Sequence, residues 1–231
     1  FAMRQLILCC DGTWNDPASD TNIWRVFKAY KESLVDPATG AKPEPIKIAS
    51  DRATVTGKTA KGTHSLVYYD NGVGTAKGAK ITGGAFGIGL SDNIIEAYEF
   101  LCRVYQPGDT IHCFGFSRGA FTVRSLCGMI GAVGGLLARP DKDADRAAIA
   151  RAFDYYRTPK HKRGENPFTG ADAPRPVTIQ SLCVFDTVGA LGVPHPATAW
   201  LRWAFPRFAG FHDTVLGAGI ENAFHALAID E

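Results

Sequence analysis

TIHCFGFSRGA, residues Thr110 to Ala120, is the stretch whose reading settles the architecture. Thr110 to Phe114 is a short apolar run with aromatic and β-branched side chains, the pattern of a buried strand. From Arg118 onward the chain becomes a longer apolar segment that reads as a helix. Between them, Gly115-Phe116-Ser117-Arg118-Gly119 matches G-x-S-x-G. The spacing has a physical basis. A strand that reverses sharply into a helix needs glycines two positions either side of the apex, so that backbones can pass without a Cβ clash. The strained turn then lifts the serine hydroxyl out of the sheet, and the backbone N–H of Arg118 at the helix N-terminus faces a developing oxyanion. Chance supplies such a pattern roughly 0.1 times in a chain of this composition, so the flanking strand and helix give the match its weight.

Working outward, Gln5 to Cys10 (QLILCC) is a continuous apolar run suited to a strand buried on both faces, stopped by Asp11-Gly12. Asp20-Thr21-Asn22 offers N-caps for a helix over IWRVFKAYKESL, with Ile23, Val26, Phe27, Tyr30 and Leu34 at helical spacing. A Pro-, Lys- and Gly-rich connection from Asp36 to Gly62 leads to a strand at Ser65 to Tyr69. A glycine-dense loop is expected from Gly72 to Gly89, and a helix from Ser91 to Tyr105 that Gln106-Pro107-Gly108-Asp109 stops. Val177 to Phe185 (VTIQSLCVF) is a further strand. Strands alternating with helices predict an α/β fold, a mostly parallel sheet with helices on both faces. Residues 141–176 are more polar, carry a helix at DADRAAIARAFDYYR and a basic loop, and read as a cap insertion within one domain spanning 1–231.

Composition excludes several classes. Twenty-five Lys and Arg against 23 Asp and Glu leave a formal charge of +2, without the basic excess of a nucleic-acid binder. The six cysteines form no CxxC pair, and Cys9, Cys10, Cys113 and Cys183 lie in apolar runs, so buried thiols are expected rather than a disulfide framework or a zinc site. The apolar N-terminal run is too short for a secretory leader, and Ala120 to Ala138 is broken by Arg124 and several glycines. The expected location is cytoplasmic, or exported without a cleaved signal. Thr56-Gly57-Lys58-Thr59 imitates the end of a phosphate-binding loop but has Arg52 where the first glycine belongs, and Gly72-x-Gly74 is followed by Lys77 instead of a third glycine. Neither nucleotide fingerprint holds, and no metal or cofactor is called for.

A serine nucleophile needs a base, and the base needs an acid, arranged along the chain in the order serine, acid, histidine for this type of elbow. Asp186 fits the acid role, because it directly follows SLCVF and opens a turn at the same sheet edge as Ser117; an Asx turn is the alternative use of the residue. His195, His212 and His225 follow it. His195 lies between prolines, His212 near a helix start and His225 in AFHALAIDE, which reads as helical. Chain order favours His225. Gly12 and Thr13, at the end of the first strand, are candidates for a second oxyanion N–H beside that of Arg118.

Seven ordered motifs then carry a resemblance across nearly the whole chain: LCCDGTWN (8–15), TNIWRV (21–26), YYDNGVGT (68–75), GIGLSDNIIEAYEFL (87–101), GFSRGA (115–120), VFDTVGALG (184–192) and HALAIDE (225–231). Together they resemble the α/β-hydrolase-like domain of type VI secretion lipase effectors and their uncharacterised bacterial and fungal relatives. The resemblance implies a Ser-Asp-His esterase acting on phospholipid acyl esters, with Ser117 and Asp186 at the nucleophile and acid positions. In that family HALAIDE is followed by WFxGxHxDxGGG, whose histidine is the stronger base, whereas this chain ends at Glu231. Three expectations follow: His225 serves as base, the chain is a fragment lacking its catalytic histidine and the C-terminal part of its domain, or the fold is a catalytically silent interaction module. Trp200, Trp203, Phe205, Phe208 and Phe211 suit an acyl pocket, a bilayer contact or plain core. The basic run Arg157, Lys160, His161, Lys162 and Arg163 suits anionic headgroups or a solvated loop. A lipid or small ester is the expected substrate, and a secretion or immunity protein an expected partner.

Overall fold

A computed structural model of the chain describes residues 4–12, 19–72, 83–137, 143–170, 173–187, 217 and 219–228. In chain order its strands and helices are β1 (Arg4–Cys10), α1 (Asn22–Ser33), β2 (Ile46–Lys47), β3 (Arg52–Lys58), β4 (His64–Asp70), α2 (Gly83–Val104), β5 (Thr110–Phe116), α3 (Arg118–Val133), α4 (Asp143–Arg157), β6 (Ile179–Phe185) and β7 (Ala223–Ala226). The strands form one sheet in the order β2-β3-β4-β1-β5-β6-β7. β4, β1, β5, β6 and β7 run parallel, and β2 and β3 add an antiparallel margin.

The continuous apolar run of β1 is explained by its place. It is sandwiched between β4 and β5, and Leu6 to Cys10 are buried on both sides. On one face Ile7, Cys9, Val67 and Tyr69 meet Ile23 and Phe27 of α1. On the other, Leu6, Leu8, Ile111, Cys113, Leu182 and Val184 meet α2 and α3 in the larger core. The segment expected as a cap sends α4 onto α2 and α3, where Ile149, Ala152, Phe153 and Tyr156 join that core. Thr21 caps α1, its hydroxyl accepting from Trp24 N at 3.0 Å. All six cysteines are free thiols, and five are fully buried.

Three segments depart from the sequence expectation. AFHALAIDE is not helical at its start: Ala223–Ala226 is β7, paired in parallel with β6 (Val184↔His225, Phe185↔Ala226). Ala and Leu favour helix locally, but a row of backbone donors and acceptors on β6 outweighs a weak propensity. The supposed loop up to Gly89 is helical from Gly83. Glycine costs about 1 kcal/mol per helical position, yet extending a helix already seated through Ile94, Ala97, Tyr98 and Leu101 needs no new nucleus. The TGKT segment lies mostly in β3, where Gly57 leaves room for the crossing backbone of Val35. A Cβ there would stand 2.8 Å from the Val35 carbonyl oxygen.

Candidate active site

The carboxyl ends of β1, β4, β5 and β6 bring the chemistry-bearing residues to one edge of the sheet. Ser117 follows β5 directly, with φ +53° and ψ −114°, a backbone conformation that L side chains rarely adopt. Its N–H donates to the Phe185 carbonyl at 3.0 Å, which pins the turn to the end of β6. It occupies the N-cap position of α3, yet its hydroxyl makes no capping bond. A serine there normally caps. Here the turn carries the strain and withholds the hydroxyl.

The flanking glycines are fixed by contact distances. A Cβ on Gly115 would lie 2.6 Å from Ala120 Cα and from the Gly119 carbonyl oxygen. A Cβ on Gly119 would lie 2.0 Å from the Cys10 carbonyl oxygen and 2.6 Å from that of Asp11. The first turn of α3 is therefore seated directly on the exit of β1. Arg118, at the first helical position, is half-buried, and burial pushes its guanidinium down to about 10, so it stays cationic at neutral pH.

Asp186, just past β6, also has a positive φ, +39°. Its N–H donates to the Ala226 carbonyl at 2.9 Å, and its Oδ1 accepts from Ala228 N at 2.5 Å. The carboxylate is thus held at the end of β7. His225 is exposed on β7, and its Nε2 lies 3.3 Å from Thr187 Oγ1. The fold brings Ser117 and Asp186 to neighbouring strand ends. Among the described residues no hydrogen bond joins His225 to either.

Gly12 has a different role from the one expected of it. Its N–H donates to Asp11 Oδ1 at 2.8 Å, which removes it as an oxyanion donor in this conformation. Asp11 is fully buried, and its other oxygen accepts from the hydroxyls of Thr21 at 2.6 Å and Tyr69 at 2.9 Å. Burial pushes its carboxyl up, while those three donors pull it back down. Thr13, His195, His212, Trp200, Trp203, Phe205, Phe208 and Phe211 lie outside the described residues.

A second buried carboxyl at this edge was not singled out by the motifs. Asp70 ends β4 with no exposure. Its Oδ1 accepts from Gly72 N at 2.7 Å, and among the described residues its Oδ2 has no partner. Burial raises its pKa to about 7. An unfolded aspartate titrates near 3.9, so the stabilisation this group gives is complete below about pH 4 and is lost as pH rises through about 7. Asp70→Asn removes that loss. Relative to the wild type, its unfolding free energy should improve by about 2–3 kcal/mol between pH 5 and pH 8, on top of a pH-independent cost for the new amide. Urea unfolding at the two pH values measures this, and parallel curves for both proteins would refute it.

Among the described residues no cluster of His, Cys, Asp and Glu could hold a metal ion, and no helix is long and apolar enough to cross a membrane. No solved structure gives a significant match to the chain. An uncharacterized protein of Saccharomyces cerevisiae is 32% identical over 133 residues, covering 57% of this chain and 18% of the yeast protein. The chain thus spans less than a fifth of that relative's length. The family model described as T6SS, phospholipase effector Tle1-like, catalytic domain matches residues 4–231. With a glycine-flanked serine between β5 and α3 and an aspartate at the end of β6, the chain belongs to the family of T6SS phospholipase effector Tle1-like catalytic domains.

Proposed function

We propose that this chain is a serine ester hydrolase of the α/β-hydrolase type that cleaves acyl esters of phospholipids. The observation carrying this reading is Ser117: a non-glycine residue at φ +53° on a strand-to-helix turn, its hydroxyl committed to no cap. In the reaction, Ser117 Oγ attacks the ester carbonyl carbon while a histidine removes its proton, and the carbonyl electron pair moves onto oxygen. The N–H of Arg118, with that of Thr13, holds the oxyanion. Collapse expels the alcohol, which takes the proton back from the imidazolium. Water then repeats the cycle on the acyl-enzyme and releases the fatty acid.

Asp186 is the acid that holds the histidine. Among the described histidines, His64 opens β4 at the opposite sheet edge, His112 Nδ1 lies 2.8 Å from Ser181 Oγ, and His161 sits in the turn Lys160–Lys162. His225 is the one beside the Asp186 strand end, and in this reading it turns from Thr187 toward Asp186 to act as base. His225→Ala should then slow labelling by a fluorophosphonate serine probe by about 10³-fold or more. Labelling at the wild-type rate would exclude His225 as base.

A second reading, an interaction module with a silent hydrolase fold, is favoured by one observation: Asp186 Oδ1 is occupied by Ala228 N, and His225 faces Thr187. The two readings diverge in one experiment. A hydrolase labels with the probe and releases fatty acid from phospholipid vesicles, and a silent module does neither. The aromatic segment around Trp200, Trp203 and Phe205 would supply acyl or membrane-surface contact. Arg163 contributes less to lipid attraction than its charge suggests, because its guanidinium donates to the carbonyls of Tyr156 and Thr158.

A further inference from the structure

We propose that Asp70 is a positioning residue for ester cleavage: its carboxyl fixes the Asn71–Gly72 turn against the backbone of Asp11 and Gly12, and so steadies the exit of β1 on which the helix of Ser117 is seated. The inference rests on the reading of Ser117 as nucleophile. It begins with the ends of β1 and β4 and the turn after β4, which three bonds hold in place. Asp11 N donates to the Asp70 carbonyl at 2.8 Å, Gly72 N to Asp70 Oδ1 at 2.7 Å, and Asn71 N to the Asp51 carbonyl at 3.0 Å.

Gly72 transmits the position. It has φ +79°, and a Cβ on it would stand 2.6 Å from the carbonyl oxygens of both Asp11 and Gly12. The turn and the exit of β1 are in backbone contact, so neither can shift without the other. From the opposite side Gly119, in the first turn of α3, presses on the carbonyls of Cys10 and Asp11. The exit of β1 is therefore clamped between the serine's own helix and a turn that Asp70 holds. Displacing this clamp by about 1 Å would shift the first turn of α3, and with it Ser117 and the Arg118 N–H, enough to spoil the geometry of attack and of the oxyanion.

Asp70 is also an expensive choice for a plain turn-former. Among the described residues its Oδ2 is buried without a partner, as is the Tyr68 hydroxyl two residues earlier on the same strand. A buried carboxylate oxygen left unsatisfied is a cost that stability alone does not explain. The groups that face Asp70 are Cys10 on β1, Tyr68 and Tyr69 on β4, Asp51 and Arg52 at the start of β3, and Glu96 on α2. Arg52 does not neutralise it by contact, since its guanidinium bonds Asp51 at 3.1 Å and Glu96 at 2.8 Å. The ionised carboxylate grips Gly72 N–H through a charge-assisted bond, and protonation weakens that grip. The acid side of the pH–rate profile therefore carries the proton of Asp70 as well as that of the general base.

The test uses the whole chain, with fluorophosphonate labelling rates and kcat and KM for a p-nitrophenyl ester between pH 5 and 9, folding being checked by circular dichroism. Asp70→Ala should lower the labelling rate and kcat by about 10²-fold with KM little changed. Asp70→Asn keeps a carbonyl acceptor for Gly72 N–H and should recover most of the rate at pH 8. Its acid limb should fall with a slope of one proton where the wild type falls with two. A folded Asp70→Ala that labels at the wild-type rate overturns the proposal and leaves the hydrolase reading standing. If Asp70→Ala does not fold, Asp70→Asn decides: a two-proton limb identical to the wild type overturns the proposal, and a one-proton limb supports it. A wild type that does not label at all overturns the serine reading and this proposal together.

Discussion

Ser117→Ala should abolish labelling by a fluorophosphonate probe and lower ester turnover by on the order of 10⁴-fold or more, while leaving the fold in place. Both halves follow from the geometry of the turn. The activity half rests on the hydroxyl being the nucleophile, because no backbone group can replace it. The stability half rests on what the hydroxyl does not do: it caps no helix N–H, so its removal strands no donor. Alanine inherits the φ of +53°, and its unfolding free energy should stay within about 0.5 kcal/mol of the wild type. Ser117→Gly separates strain from chemistry. It should be equally inactive yet more stable by about 1 kcal/mol, because glycine accepts that conformation freely. Equilibrium unfolding of the three proteins, set beside their labelling rates, measures this. A Ser117→Ala protein that still labels would move the nucleophile elsewhere.

The parts of the fold that were legible in sequence are those held by local pattern. QLILCC reads as a doubly buried strand because a strand between two parallel neighbours has no polar face to show. The α1 start reads from Thr21 because capping is a local bond. β2, β3 and β7 were not legible. Val55 is the one fully buried hydrophobic among them, and all four residues of β7 are exposed, so no alternation marks these strands. Their pairing is decided by a partner far away in the chain. At the site, Ser117 and Asp186 were readable because each ends an apolar run at a turn. Asp11 and Asp70 carry the same signal, CCD and YYD beside VFD, but no motif names them as carboxyls of this sheet edge. That Gly12 N–H is taken by its neighbour's side chain depends on a rotamer, which no pattern encodes.

Gly119→Ala is expected to be the most damaging single-methyl change at this site, costing on the order of 3–5 kcal/mol or preventing folding. The usual sign is the reverse: alanine in place of glycine inside a helix stabilises by roughly 0.5–1 kcal/mol. The methyl at this position would lie 2.0 Å from the Cys10 carbonyl oxygen, 2.4 Å from its carbonyl carbon and 2.6 Å from the Asp11 carbonyl oxygen. All three atoms are backbone at the exit of the central strand, where no side chain can swing aside. Relief requires α3 to lift from β1. That lift would drag Ser117 from its bond to the Phe185 carbonyl and pull apart the core that Ala120, Val123 and Leu126 share with the sheet. Gly131→Ala is the matched control, since it lies on the same helix with nothing within 4 Å of the added methyl. It should stabilise by up to about 1 kcal/mol. Urea midpoints that move in opposite directions for the two variants would establish that the serine's helix is seated on the β1 backbone. A Gly119→Ala protein as stable as Gly131→Ala, and still reactive at Ser117, would mean that the close approach of α3 to β1 does not hold the nucleophile in place.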